Sequence, residues 1–254
     1  MHFSIRKITC SIFVGGLIAF TGCQKDDGLL RRNNLAEDFA NVTSNCEGNQ
    51  FFGQTHKLAP GDKFVFQVIL PNTTVPIPAF YYEQLTDKTI VTPKGEKVYL
   101  NSIGNLDFPP YMYFAYSQES DMTIDFYGAL YPDSANTEKI VAADWVTKPE
   151  NGFSINYPGI YFVGKKWKSK FTLTNSITNA TSSVNIEYKV VAFETIIIGI
   201  GTFDAYKIEG FDKIAHKDES VSWWSPKLGI NIKKYSYAGR PGYELSSYHY
   251  AVGR

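Results

Sequence analysis

Four carboxylates on strand-like segments, Glu187, Glu194, Asp204 and Glu209, are the residues of this 254-residue chain whose type and spacing most suggest chemistry. Two carboxylates are the equipment of a glycosidase. A chain with 25 acidic residues offers many such pairs, however, and solvated or ion-paired carboxylates are the ordinary case. His56, His216 and His249 stand apart, outside any His-x-x-x-His or His-Glu-x-x-His spacing. No Gly-x-Ser-x-Gly elbow offers a serine nucleophile. Gly199-Ile200-Gly201 lacks the third Gly of a dinucleotide loop and is followed by a strand pattern rather than a helix. These residues give no catalytic assignment, no metal site and no cofactor. The aromatic residues are the stronger candidates. Trp223 and Trp224 are neighbours, so a strand sends their rings to opposite faces. With Tyr235 and Tyr237 they form the ligand-facing set expected here, since flat rings with polar handles suit glycan or protein recognition.

The N-terminus bears on where these residues work. Arg6 and Lys7 precede an uncharged apolar run, Ile8 to Phe20. That run is short for a membrane span, which takes about 20 residues, and has the length of a signal-peptide core. Thr21 and Gly22 lead directly into Cys23. This arrangement resembles the lipobox of bacterial lipoproteins, with Phe20 where the usual pattern has Leu. The resemblance implies cleavage before Cys23 and a lipid anchor on its thiol. Gln24, Lys25, Asp26 and Asp27 resemble the export signal of surface lipoproteins of the Bacteroidota, which implies an outer-membrane protein displayed on the cell surface. Once Cys10 leaves with the signal and Cys23 is acylated, Cys46 is the last of three cysteines, so no internal disulfide can form. Cys46 lies in the polar stretch NVTSNCEGNQ, a poor setting for a nucleophile.

The mature chain of about 230 residues suffices for one large or two small β-domains. Net charge is zero and no long basic run exists, which excludes nucleic acid as a partner on electrostatic grounds. The chain is divided into a signal peptide (1–22), a polar tether (23–52), an N-terminal β unit (53–156) and a C-terminal β unit (157–254). From Phe51 onward, apolar and alternating runs of strand length are separated by turn residues, among them Pro93-Lys94-Gly95, Pro109-Pro110 and Pro132-Asp133-Ser134. In WKSKFTLT, residues 167–174, Trp167, Ser169, Phe171 and Leu173 share one face and the lysines the other. The fold expected is all-β, an antiparallel β-sandwich or half-open barrel. PGDKF at Pro60 and VGKKW at Val163 open the two halves alike, which suggests two similar β units. The C-terminal Tyr-rich segment reads as an edge strand.

Three blocks of the second half occur in order: Gly164 with Trp167; Glu194, Gly201-Thr202-Phe203 and Lys207-Ile208; then Trp223, Ser225-Pro226, Gly229 and Lys233. They resemble an uncharacterised family of exported β-rich bacterial proteins, with Ile200 where that family often has Ala or Pro. The resemblance implies an antiparallel sandwich or half-open barrel and no known reaction. Asp133-Ser134-Ala135 resembles the O-glycosylation acceptor of the same bacteria, on Ser134. The combined expectation is a non-catalytic surface lipoprotein with a binding or envelope-structural role. Its partners would be the membrane, through the anchor, and a glycan, lipid or protein ligand. A periplasm-facing lipid or lipoprotein carrier and a hydrolase with carboxylates assembled in space are the alternatives. A buried carboxylate pair would favour the hydrolase, and an uncharged apolar cavity the carrier.

Overall fold

The computed structural model describes residues 58–71, 73–118, 123–149, 155–237 and 239–251. The signal peptide, Cys23, Gln24 to Asp27, Cys46 and His56 lie outside the described residues. Thirteen strands make up the body: β1 (Lys63–Ile69), β2 (Pro76–Val91), β3 (Lys97–Asn105), β4 (Met112–Gln118), β5 (Ile124–Pro132), β6 (Ile140–Thr147), β7 (Ile155–Tyr157), β8 (Lys166–Asn175), β9 (Thr181–Ile198), β10 (Gly201–Asp212), β11 (Lys217–Ser225), β12 (Ile230–Ser236) and β13 (Gly242–His249). Each pairs antiparallel with the next, except that β6 joins β8 and the short β7 lies on β5. β13 pairs with β1, so twelve strands close into a barrel.

Alternation produces this arrangement residue by residue. In β1, Phe64 and Phe66 are buried. In β8, Trp167 and Ser169 are buried while Lys166, Lys168 and Lys170 face water. A half-buried strand needs this period of two. Closure then supplies each of the twelve ring strands with two neighbours and leaves the ring without the open sheet edges that invite aggregation. The C-terminal segment expected at an edge is therefore an interior member of the ring: β13 pairs with β1 on one side and β12 on the other. Residues 181–198 make one long strand, β9, because Phe193, Glu194 and Thr195 keep their pairing to β10. Gly199 and Ile200 make the tight turn that follows. Ser225 to Gly229 forms the turn between β11 and β12, with Gly229 at φ 73° and its N–H donating to the Ser225 carbonyl at 2.8 Å.

The two similar openings adopt the same backbone. Gly61 and Gly164 both have φ 97°, a conformation that disfavours any residue with a Cβ. Asp62 N–H donates to the Ala59 carbonyl at 3.0 Å, as Lys165 does to Phe162 at 3.1 Å. Gly61 N–H donates to Leu85 O at 2.9 Å, as Gly164 does to Val190 at 2.8 Å. Leu85 and Val190 in turn donate to Asp62 and Lys165. From these anchors the registers match strand for strand. Phe64 opposes Glu83 as Trp167 opposes Tyr188. Leu85 opposes Asn101 as Val190 opposes Ile208. Tyr99 opposes Tyr116 as Tyr206 opposes Trp224. The ring is thus two runs of six strands, β1–β6 and β8–β13, with equivalent openings.

Candidate functional site

The equivalence shows where the two halves differ. In the second, Trp167, Val190, Tyr206, Ile208 and Trp224 form a core cluster with Tyr161 at its centre. The Tyr161 ring is fully buried and stacks on Trp224 at 4.0 Å, with Trp167 edge-on at 5.9 Å. Tyr188 stacks on Trp167 at 5.0 Å. In the first half, the position of Tyr161 is held by Leu58, that of Tyr188 by Glu83 and that of Ile208 by Asn101. A cavity of about 110 Å³ opens there.

Phe64, Phe66, Leu85, Phe114, Tyr116 and Phe126 line it from β1 to β5, and Ile230 and Tyr243 close it from β12 and β13. Directly opposed residues of neighbouring strands share a face. The register therefore sends Phe64, Glu83, Leu85, Asn101 and Phe114 to the same side of the sheet. Glu83 Oε2 accepts a hydrogen bond from Asn101 Nδ2 at 3.4 Å. Asn101 Oδ1 is buried and takes no hydrogen bond from any described residue. Burial pushes the Glu83 carboxyl up to about 7, and the Asn101 amide only partly offsets it. Burial likewise raises the phenol of Tyr116. Tyr111 is raised by burial and by the nearby Glu83 charge. The cavity thus holds one carboxylate in a largely apolar, aromatic wall that also carries Asn101 and Asn231. Chemically it can accept hydrogen bonds, or donate one when protonated.

The sequence reading passed over Glu83. A signal was available: Tyr81, Glu83 and Leu85 share a parity in FYYEQL, and a lone charge at the core-facing positions of an aromatic strand is costly unless it has a partner.

The residues singled out from the sequence fall elsewhere. Lys207, Trp223, Lys233 and Glu244 oppose one another across β10 to β13, on the face of β13 opposite Leu245 and thus opposite Phe66. Trp223 Nε1 donates to Glu194 at 2.7 Å, and its ring meets Tyr235 edge-on at 5.5 Å. Glu194 is thereby bound to Trp223, and the Lys207 Nζ lies 5.7 Å from the Trp223 ring centre. Lys233 and Glu244 form an ion pair at 2.6 Å. Trp224, expected among the ligand-facing rings, is 1% exposed and stacked on Tyr161, so it offers a ligand no face. Tyr237 is exposed beyond the end of β12. Ser134 is exposed in the β5–β6 turn, which is closed by Ala135 N–H donating to Asp133 Oδ1 at 2.8 Å.

The four carboxylates weighed for catalysis are dispersed among separate interactions. Glu187 pairs with Lys213 at 2.8 Å, Asp204 accepts from Thr195 Oγ1 at 2.6 Å, and exposed Glu209 opposes Lys189. His216 and His249 are exposed, and among the described residues no group of three His, Cys, Asp or Glu is placed to hold a metal.

No family model matches the chain, which leaves the resemblance of its last hundred residues to an exported β-rich family without support. No curated protein matches it. Among solved structures, the chain is similar to the hypothetical lipoprotein YmcC from Escherichia coli (K12), at 11% identity over 84% of this chain and 96% of that one, with a TM-score of 0.28, too low to carry any inference about this protein.

Proposed function

We propose that this chain is a non-catalytic, lipid-anchored protein of a bacterial envelope that binds a small ligand inside its barrel. Cys23 carries the anchor in the outer membrane, and Gln24, Lys25, Asp26 and Asp27 direct the body to the cell surface. The observation that supports a binding role is the cavity of about 110 Å³, apolar and aromatic but for Glu83, Asn101 and Asn231. Ligand sites have this composition, a largely apolar wall with a few placed polar groups. A packing flaw in an apolar core would gain nothing from a carboxylate, whose burial is costly.

The size and chemistry of the cavity weigh against the alternatives. A dry cavity of about 150 Å³ takes benzene, so a cavity of about 110 Å³ is small for an acyl chain. A hydrolase of the two-carboxylate type needs a second acid beside the first, and Glu83 is the one carboxylate on the cavity wall.

Methyl NMR of the isoleucine- and leucine-labelled protein, titrated with water-soluble one-ring compounds, tests the binding role. Shifts concentrated at Leu58, Leu85, Ile124 and Ile230 are expected. Shifts confined to the exposed Ile177, Ile197 and Ile214 would overturn it.

A further inference from the structure

We infer that the cavity takes a small aromatic amine, with its ring where the Tyr161 ring sits in the other half of the barrel and its ammonium on Glu83 and Asn101. This rests on the internal-cavity reading above and adds the chemical class of the ligand.

The ring follows from the comparison of halves. Tyr161 fills the centre of its cluster, within 6 Å of the ring centres of Trp224, Tyr206 and Trp167. At the equivalent place Leu58 reaches only the cavity wall, among Phe64, Leu85 and Tyr116. Relative to the second half, the first lacks two aromatic rings, with Leu58 in place of Tyr161 and Glu83 in place of Tyr188.

The ammonium follows from the two polar exchanges. Both fall beside the missing ring, and they join to each other, Asn101 Nδ2 on Glu83 Oε2. With that amide group committed, this part of the wall offers acceptors: the carboxylate and the buried Asn101 Oδ1. Among the described residues the lysines that form ion pairs go to Glu138, Glu187, Glu219 and Glu244, and none goes to Glu83. A half-buried carboxylate with no lysine on it attracts a cation, since charge-assisted hydrogen bonds are about twice as strong as neutral ones. A primary ammonium brings three donors, an alcohol only one. The faces of Phe64, Tyr116 and Phe126 are further partners for a cation. A carboxylate-bearing ligand would be repelled.

Titration of the full-length protein with benzylamine and with its neutral analogue benzyl alcohol, read from the Leu58, Leu85, Ile124 and Ile230 methyls, tests the assignment. Benzylamine is expected to bind at least tenfold tighter than benzyl alcohol. In Glu83→Gln the two should bind alike, and in Leu58→Tyr, where the protein supplies its own ring, neither should bind. Equal binding of both compounds by the wild-type protein would overturn the amine assignment and leave the cavity reading standing. Failure of both to move those methyls would overturn the two together.

Discussion

Glu83→Gln isolates the cost of the half-buried carboxylate. The side chain titrates near 7 in the fold and near 4.5 when unperturbed. The folded protein thus binds this proton more tightly than the unfolded chain, and folding takes up a proton between those values. The stability contributed by the raised group is fully present below about pH 4.5 and is lost as pH rises through about 7. At about 1.36 kcal/mol per pH unit the loss amounts to about 3 kcal/mol by pH 8, an upper bound for a carboxyl that cavity water can reach. Glutamine keeps the shape, still accepts from Asn101 and offers its own N–H₂ to Asn101 Oδ1. The variant should therefore match the wild type at pH 5 and exceed it at pH 8. For a body of this size about 3 kcal/mol corresponds to roughly 6–12 °C in Tm. Urea unfolding of both proteins at pH 5, 6, 7 and 8 reads the difference directly, since other titrating groups are common to both. Equal stability of the two at pH 8 would refute the placement of Glu83 in a desolvated wall.

Other perturbations test separate parts of the structure. Leu58→Phe should stabilise the protein, because filling 110 Å³ at about 24 cal/mol per Å³ recovers at most about 2.6 kcal/mol, less any strain; a lower urea midpoint would show that the space is not available to a ring. Gly61→Ala should cost more than Gly164→Ala. Both share the φ of 97°, but a Cβ at Gly61 would stand 2.8 Å from the Ala251 Cβ whereas one at Gly164 meets nothing within 4 Å, so equal losses of about 1–3 kcal/mol would refute the packing of the C-terminal segment on β1. Cys23→Ala should move the protein from the membrane fraction to the soluble one; retention in the membrane would exclude the lipid anchor.

Much of this fold is legible in the sequence because a strand writes itself every second residue. Trp167, Ser169 and the intervening lysines, and the matched openings at Gly61 and Gly164, were readable as pattern. Closure was not, because β13 and β1 are far apart in the chain and nothing local marks their pairing. The Trp-Trp pair was correctly split between faces, but periodicity could not say which face Tyr161 would cover. That depended on the segment before β8 folding back over β11. The cavity was hidden for a related reason. It arises from the absence of a ring at Leu58, and an absence shows only once Leu58 is set against Tyr161. In the sequence Glu83 shows only as a lone charge at the parity of Tyr81 and Leu85, and its cavity neighbours come from other strands.

The most direct test of a ligand site inside the barrel is a crystal structure of the protein with benzylamine. The account predicts the ring between Leu58, Phe64 and Tyr116, with the nitrogen within hydrogen-bond distance of Glu83. A ring seated instead against Trp223 and Tyr235, with the cavity unchanged, would contradict it.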